Sequence, residues 1–244
     1  LASTLDEADE MIRAARERNL PFSVMQNRRY LRPIRSFRTI LGDGTIGTPG
    51  YLGADFFLGP HFGGFRDLMD SPLLLDMAIH TFDQARFLLG ADGVSVSCQE
   101  FNPPGSWYRG AASAVALFEM SDGSLFSYRG SWCAIGCQTS WESDWRACGS
   151  RGTAMWDGRS MPWAETLPPG ETPGSGGFFD NLVRVEAPDA WTGREGHEGC
   201  LDEMVDALLS GRPAETDGAA NRNSLAMVMA AIESARTGTR VAIR

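Results

Sequence analysis

The sequence predicts an α/β (α+β) protein: a large, open, mainly antiparallel β-sheet packed with helices, preceded by the tail of a doubly wound domain. Three observations carry this expectation. A helix followed at once by a short apolar run opens the chain, a series of strand-like runs separated by turn residues fills its middle, and two long helical stretches close it.

Taken in order, Ser3 or Thr4 can cap a helix whose Leu5, Ala8, Met11, Ile12 and Ala15 share one face, with Asn19 as its stop. Leu20 to Met25 then reads as a short buried strand, and helix-then-strand is the rhythm of an α/β unit. A second helix is expected from Leu31 to Leu41, ended by Gly42, and a strand from Tyr51 to Leu58. Between them Gly42, Gly44 and Gly47 match the pattern GxGxxG. A phosphate-cradling loop must leave a strand and open a helix, and here the order is reversed, so the match is rejected. Gly59 to Asp70 is a loop rich in Gly and Phe, and it leads into an apolar helix from Leu73 to Leu89.

Strands are expected at Val94 to Phe101, Ala111 to Met120 and Ser124 to Trp132, the last two joined by the hairpin signal Ser121-Asp122-Gly123. Glu142 to Cys148, Thr153 to Trp156 and Phe179 to Val185 continue the sheet, whereas the Pro- and Gly-dense Met161 to Gly177 is expected to be loop. Helices from Glu195 to Leu209 and Ala219 to Thr237 are expected to end at Gly211 and Gly238, and Arg240 to Ile243 is expected to form a last strand.

Composition narrows the function. The 244 residues, 43% of them hydrophobic, fill one large domain or a complete domain plus a piece of another. A net charge of -9 argues against a nucleic acid or an acidic membrane as partner. No apolar run approaches the roughly 20 residues needed to cross a bilayer, and the N-terminus lacks signal-peptide character, so the compartment is read as cytoplasmic. Five cysteines without a CxxC pair suit reduced thiols. All 22 basic residues are arginine, which leaves no lysine to act as acid, base or Schiff-base amine. Leu1 is not Met and helical periodicity begins almost at once, so the chain reads as part of a longer protein.

Asp76 and His80 are the candidates for chemistry. Spaced i, i+4 on an apolar helix, they would project from one face, with Asp83 a turn beyond. A histidine can take or give a hydroxyl proton and a carboxylate can orient it, an arrangement suited to alcohol oxidation. Spacing alone favours a solvated pair; the apolar Leu73, Leu74, Leu75, Met77, Ala78 and Ile79 around them argue for burial and hence for a reason, which brings the two readings level. His61 and His197 could join them around a metal, although no spacing requires it, and no metal is expected. Tyr108, Arg109, Trp132 and Trp145 could line a pocket, although aromatic residues in a sheet are more often core or interface.

The series Arg29-Tyr30, Gly44-Thr45-Ile46-Gly47 and Leu75-Asp76-Met77-Ala78-Ile79-His80-Thr81-Phe82-Asp83 closely resembles the glucose-fructose oxidoreductase, inositol dehydrogenase and rhizopine-catabolism (Gfo/Idh/MocA) family. Gly149-Ser150-Arg151-Gly152-Thr153 and Glu233-Ser234-Ala235-Arg236-Thr237-Gly238 fit it too. The resemblance implies that residues 1–27 are the last helix and strand of a Rossmann nucleotide-binding domain and that residues 28–244 form a substrate-binding and oligomerisation domain. It implies NAD or NADP as cofactor, a sugar or polyol as substrate, and a homo-oligomer built through the open sheet. His80 would be the general acid/base and Asp76 would bind substrate and assist it, while Asn27 and Arg66 would sit near cofactor or substrate. The family's Glu-Lys-Pro element and its main Gly-rich loop do not occur in these residues, so the chain alone is expected to be inactive. A non-enzymatic binding or assembly module that keeps the sheet is the alternative.

Overall fold

The computed structural model describes residues 1–244. Helix α1 (Leu5–Glu17) starts at a reciprocal cap: the Thr4 hydroxyl accepts from the Glu7 N–H at 3.2 Å, and the Glu7 carboxylate accepts from the Thr4 N–H at 3.2 Å. Asn19 follows the helix at φ 52°, as a stop residue should.

The strand expected at Leu20 to Met25 does not form. That segment is extended but runs along the start of a later helix, joined to it by a single Ser23–Asp217 bridge, and Leu20 is 58% exposed. An apolar run becomes a strand only where a neighbouring strand takes its backbone groups, and none lies beside it here. A 3-10 turn (Asn27–Tyr30) and α2 (Arg32–Gly42) follow, with Pro33 in the first turn where no N–H is missed.

The sheet comprises β1 (Pro49–Phe57), β2 (Gly93–Phe101), β3 (Ser113–Met120), β4 (Leu125–Ser131), β5 (Asp144–Gly149), β6 (Gly152–Trp156), β7 (Trp163–Thr166), β8 (Val183–Glu186) and β9 (Val241–Ala242). Their order is β8-β7-β6-β5-β1-β4-β3-β2-β9, antiparallel throughout except where β1 lies parallel to β4. Strand β7 occupies part of the stretch expected to be loop. Only four residues long and flanked by Pro162 and Pro168, it lacks the length of a strand signal, and its pairing with β6 and β8 makes it one. The strand expected at Phe179 begins only at Val183.

Alternation along the strands divides the sheet into two faces. Leu52, Ala54, Phe56, Ala114, Ala116, Phe118, Phe126, Tyr128, Trp145 and Ala147 are buried on one, beneath α2, α3 (Ile79–Leu89) and α5 (Gly218–Thr237). Tyr51, Asp55, Val115, Leu117, Leu125 and Arg129 lie on the other, which no element of the chain covers. Helix α4 (Gly196–Ser210) packs against the 3-10 turn, and α4 and α5 end in left-handed Gly211 and Gly238 as expected.

A buried ion pair locks the turn to the helical layer. Asp83 accepts from Arg29 Nε and Nη2, both at 2.6 Å, and from Ser224 Oγ at 2.7 Å, so the 3-10 turn, α3 and α5 meet at one carboxylate. Asp83, one turn beyond His80, is therefore structural.

Candidate active site

The helix expected from Leu73 to Leu89 is divided. Leu73–Ala78 is a π-helical turn and regular α-helix begins only at Ile79. Five-residue hydrogen bonding widens the turn and upsets the i, i+4 alignment that would stack Asp76 beneath His80. The two side chains accordingly find different partners. Asp76 accepts from Arg66 Nε at 2.8 Å, whereas His80 Nδ1 faces Gln26 Oε1 at 3.3 Å. The expectation that the carboxylate directly orients the ring is corrected on this point: a neutral amide does so.

Gln26 is buried in the extended segment just before the 3-10 turn, and the Arg29–Asp83 pair holds that turn against α3. Arg28, from the same turn, reaches under the helix: Nη1 donates to the Trp141 carbonyl, Nη2 meets Met77 Sδ at 3.6 Å, and Nε lies 3.7 Å from Glu142. Glu142 in turn accepts from Gln84 Nε2 at 2.9 Å. Burial, reinforced by the Arg28 charge, pushes the His80 imidazole down to about 4, so it is neutral at physiological pH. Gln26 and Arg28 escaped sequence reasoning because each stands in an aperiodic segment and approaches His80 only through tertiary packing; Glu142 is linked to them through Arg28 and Gln84.

Arg66 therefore stands beside Asp76, in a 3-10 turn (Gly64–Leu68) of the Gly/Phe loop, and Asn27 follows Gln26 at the start of its own turn. His61 stacks on Trp107 with ring centroids 3.7 Å apart, and His197 lies exposed in the first turn of α4; neither joins His80. No three His, Cys, Asp or Glu side chains converge where they would hold a metal ion. Trp145 is core, stacked near Phe126, and Tyr108 is buried with its hydroxyl donating to the Pro60 carbonyl, while Arg109 is exposed against Asp70. Trp132 packs against Phe62 and Trp141, and Tyr108 lies near enough to Asp76 to feel its charge. Two grooves of about 560 and 430 Å³ lie elsewhere, along β5 to β8 and between α1 and α4.

The false GxGxxG also has a structural explanation. It joins α2 to β1, and a side chain at Gly47 would overlap Ser150 Oγ, so that glycine serves a close approach between turns.

Comparison with known proteins agrees with this architecture. The chain is 28% identical over 260 residues to D-apiose dehydrogenase of Rhizobium rhizogenes, covering 99% of this chain and 70% of the relative. Among solved structures, an oxidoreductase from Agrobacterium radiobacter in complex with NAD+, L-tartaric acid and magnesium superposes with a TM-score of 0.81 at 25% identity, over 99% of this chain and 70% of its own. Aldose-aldose oxidoreductase from Caulobacter crescentus, at 16% identity, shares the fold with a TM-score of 0.80 over 99% of this chain and 69% of its own. Residues 43–243 match the family described as the C-terminal alpha/beta domain of an oxidoreductase family, GFO_IDH_MocA_C. With fold, chain order and family match in agreement, the chain belongs to the Gfo/Idh/MocA oxidoreductases and carries their C-terminal α/β domain.

Proposed function

We propose that this chain is the substrate side of an NAD(P)-dependent oxidoreductase acting on the CH-OH group of a sugar, polyol or related small molecule, with residues 1–27 the end of a nucleotide-binding domain and residues 28–244 the substrate and assembly domain. The observation that carries the reading is a neutral, partly buried imidazole, His80, fixed by Gln26 beside the Asp76–Arg66 pair. With Nδ1 donating to Gln26, Nε2 keeps a free lone pair and can take the proton of a substrate hydroxyl, then return it in the reverse direction. Asp76 supplies an acceptor for a second hydroxyl, and Arg66 fixes its carboxylate. NAD(P), when bound, exchanges hydride with the substrate carbon.

The residues present fit a dinucleotide only in part. Its pyrophosphate needs a Gly-rich turn between strand and helix, and the one such pattern here lies between helix and strand with Gly47 packed on Ser150. Asn27 and Arg66 are the side chains we assign to the reactive end of the cofactor or to the substrate. These 244 residues by themselves are accordingly inactive in hydride transfer. The uncovered sheet face, with Val115 and Leu117 half-exposed, supports a homo-oligomer formed through it.

In the full-length enzyme His80→Ala should reduce turnover by orders of magnitude with cofactor affinity nearly intact. Unchanged turnover would remove His80 from the reaction.

A further inference from the structure

Four arginines, Arg29 of the 3-10 turn, Arg35 and Arg38 of α2 and Arg86 of α3, crowd together at the C-terminal end of α3, about 15 Å along the helix from His80. Three of them surround the ring of Phe87: the guanidinium carbons of Arg29, Arg35 and Arg38 lie 5.6, 4.7 and 4.3 Å from its centroid. Attraction to an aromatic ring offsets part of the repulsion among like charges.

The acids of the neighbourhood do not match them one for one. Arg29 is paired with Asp83, Arg35 donates from both terminal nitrogens to Glu215, and Arg86 binds Asp92 at 2.6 Å. Arg38 has the face of Phe87 in place of a carboxylate. Four guanidiniums against Asp83, Glu215 and Asp92 leave one positive charge over, in a chain whose net charge is -9. Burial lowers the pKa of Arg38, helped by the Arg35 and Arg29 charges and opposed by Glu215, so its cation is incompletely compensated where it stands.

A cavity of about 250 Å³ opens at this point, lined by Arg29, Arg38, Arg86, Phe87, Asp92 and Glu215 among others. Arg38 stands on its exposed side, while the Arg29 and Arg86 side chains in its wall are only 8% and 9% exposed. Those two are not saturated. Arg29 Nη1 makes one hydrogen bond, to the Glu215 carbonyl at 3.3 Å, and Arg86 Nη1 makes one, to Ser224 Oγ at 2.8 Å, so each of these nitrogens keeps a second N–H. The Asp92 and Glu215 carboxylates are already engaged by Arg86 and Arg35. Spare donors on three guanidiniums, arriving from the 3-10 turn, α2 and α3, suit an acceptor that can be approached from several sides. A tetrahedral oxyanion meets that need, whereas a carboxylate offers two oxygens in one plane. The volume also lies below the roughly 300–1,000 Å³ typical of sites for larger organic ligands.

We infer that this cavity is a binding site for the phosphate dianion, free or as the phosphoryl end of a small monoester, with Arg38 as its ligand on the exposed side and Arg29 and Arg86 in its wall. The site is distinct from the one that holds His80 and does not depend on the oxidoreductase reading. The anion supplies the negative charge that the four arginines lack, so its binding stabilises the fold through the turn and the helices to which they belong.

The test is a titration of the 244-residue chain, by calorimetry and phosphorus NMR, with inorganic phosphate, glycerol 2-phosphate and acetate at constant ionic strength made up with chloride. Phosphate should saturate the chain with a Kd below about 10 mM, and acetate should bind at least about 10-fold more weakly. Arg38→Gln should weaken phosphate binding at least about 10-fold, and Arg38→Lys, which keeps the charge but loses the planar fork, by less. Arg18→Gln, at an exposed arginine ending α1, should leave it unchanged. Phosphate should also raise the Tm of the wild type more than that of Arg38→Gln. Its general salting effect acts on both alike, so the difference reports the site. Binding of glycerol 2-phosphate as tight as that of inorganic phosphate assigns the site to monoesters, and weaker binding assigns it to the free ion. No saturation by phosphate, equal affinity for acetate, or an Arg38→Gln chain that binds phosphate and melts in it like the wild type would overturn the proposal.

Discussion

Replacing Gln26 by Glu should convert His80 from a neutral to a charged imidazole. In the native protein burial and the nearby Arg28 lower its pKa from 6.5 to about 4, a bias of about 3 kcal/mol against the cation. A carboxylate in place of the amide oxygen would stand about as close to Nδ1 as the present 3.3 Å. At an effective dielectric constant near 20 that attraction is worth roughly 5 kcal/mol before the cost of burying the new charge, so a rise of about 2 units is expected. The signs follow. A folded-state pKa below the unfolded value means that His80 contributes stability above pH 6.5 that is lost as pH falls toward 4, and Gln26→Glu should remove that loss. NMR titration is direct, since the chain has three histidines, His61, His80 and His197. In the full-length enzyme the acid limb of the pH–rate profile should move to higher pH with the variant. A wild-type His80 titrating near 6.5, or a variant whose His80 does not shift upward, would refute both the burial argument and the role given to Gln26.

Three further outcomes are expected. Asp83→Ala leaves the buried Arg29 guanidinium without its carboxylate and should cost about 3–5 kcal/mol in urea unfolding; a loss below about 1 kcal/mol would mean that the turn is not held by this pair. Burial raises the Glu100 carboxyl to about 7 against an opposing hydrogen bond from Ser71, so its stability contribution is present below pH 4.5 and lost as pH rises to 7. Glu100→Gln should therefore stabilise the chain by up to about 3 kcal/mol at pH 8 and by much less at pH 5, and equal effects at the two pH values would contradict the assignment. Leu117→Arg, on the uncovered sheet face, should lower the oligomeric state seen by light scattering, and a strictly monomeric wild type would remove the sheet interface.

Local rules were sufficient wherever an element depends on its own residues. The cap at Thr4, one of the two residues expected there, the stop at Asn19, the Asp122-Gly123 hairpin and the left-handed Gly211 and Gly238 are each fixed by backbone conformations that few residue types adopt, so these were legible in the sequence, whereas the return contact from Glu7 was not read from it. The order of helices and most strands followed from periodicity for the same reason. Tertiary structure decided what depends on a distant partner. Leu20 to Met25 has a strand's composition and no strand beside it, and β7 has the opposite history, a short run between prolines made into a strand by β6 and β8. At the site, the sequence named Asp76 and His80 and the family they resemble, but in the fold, where the π-helical turn lies, the two side chains take different partners. Packing then brought Gln26, 54 positions earlier than His80, to its ring. Residue type and spacing record what a side chain can do; only the fold determines which group, remote in sequence, sets its charge and direction.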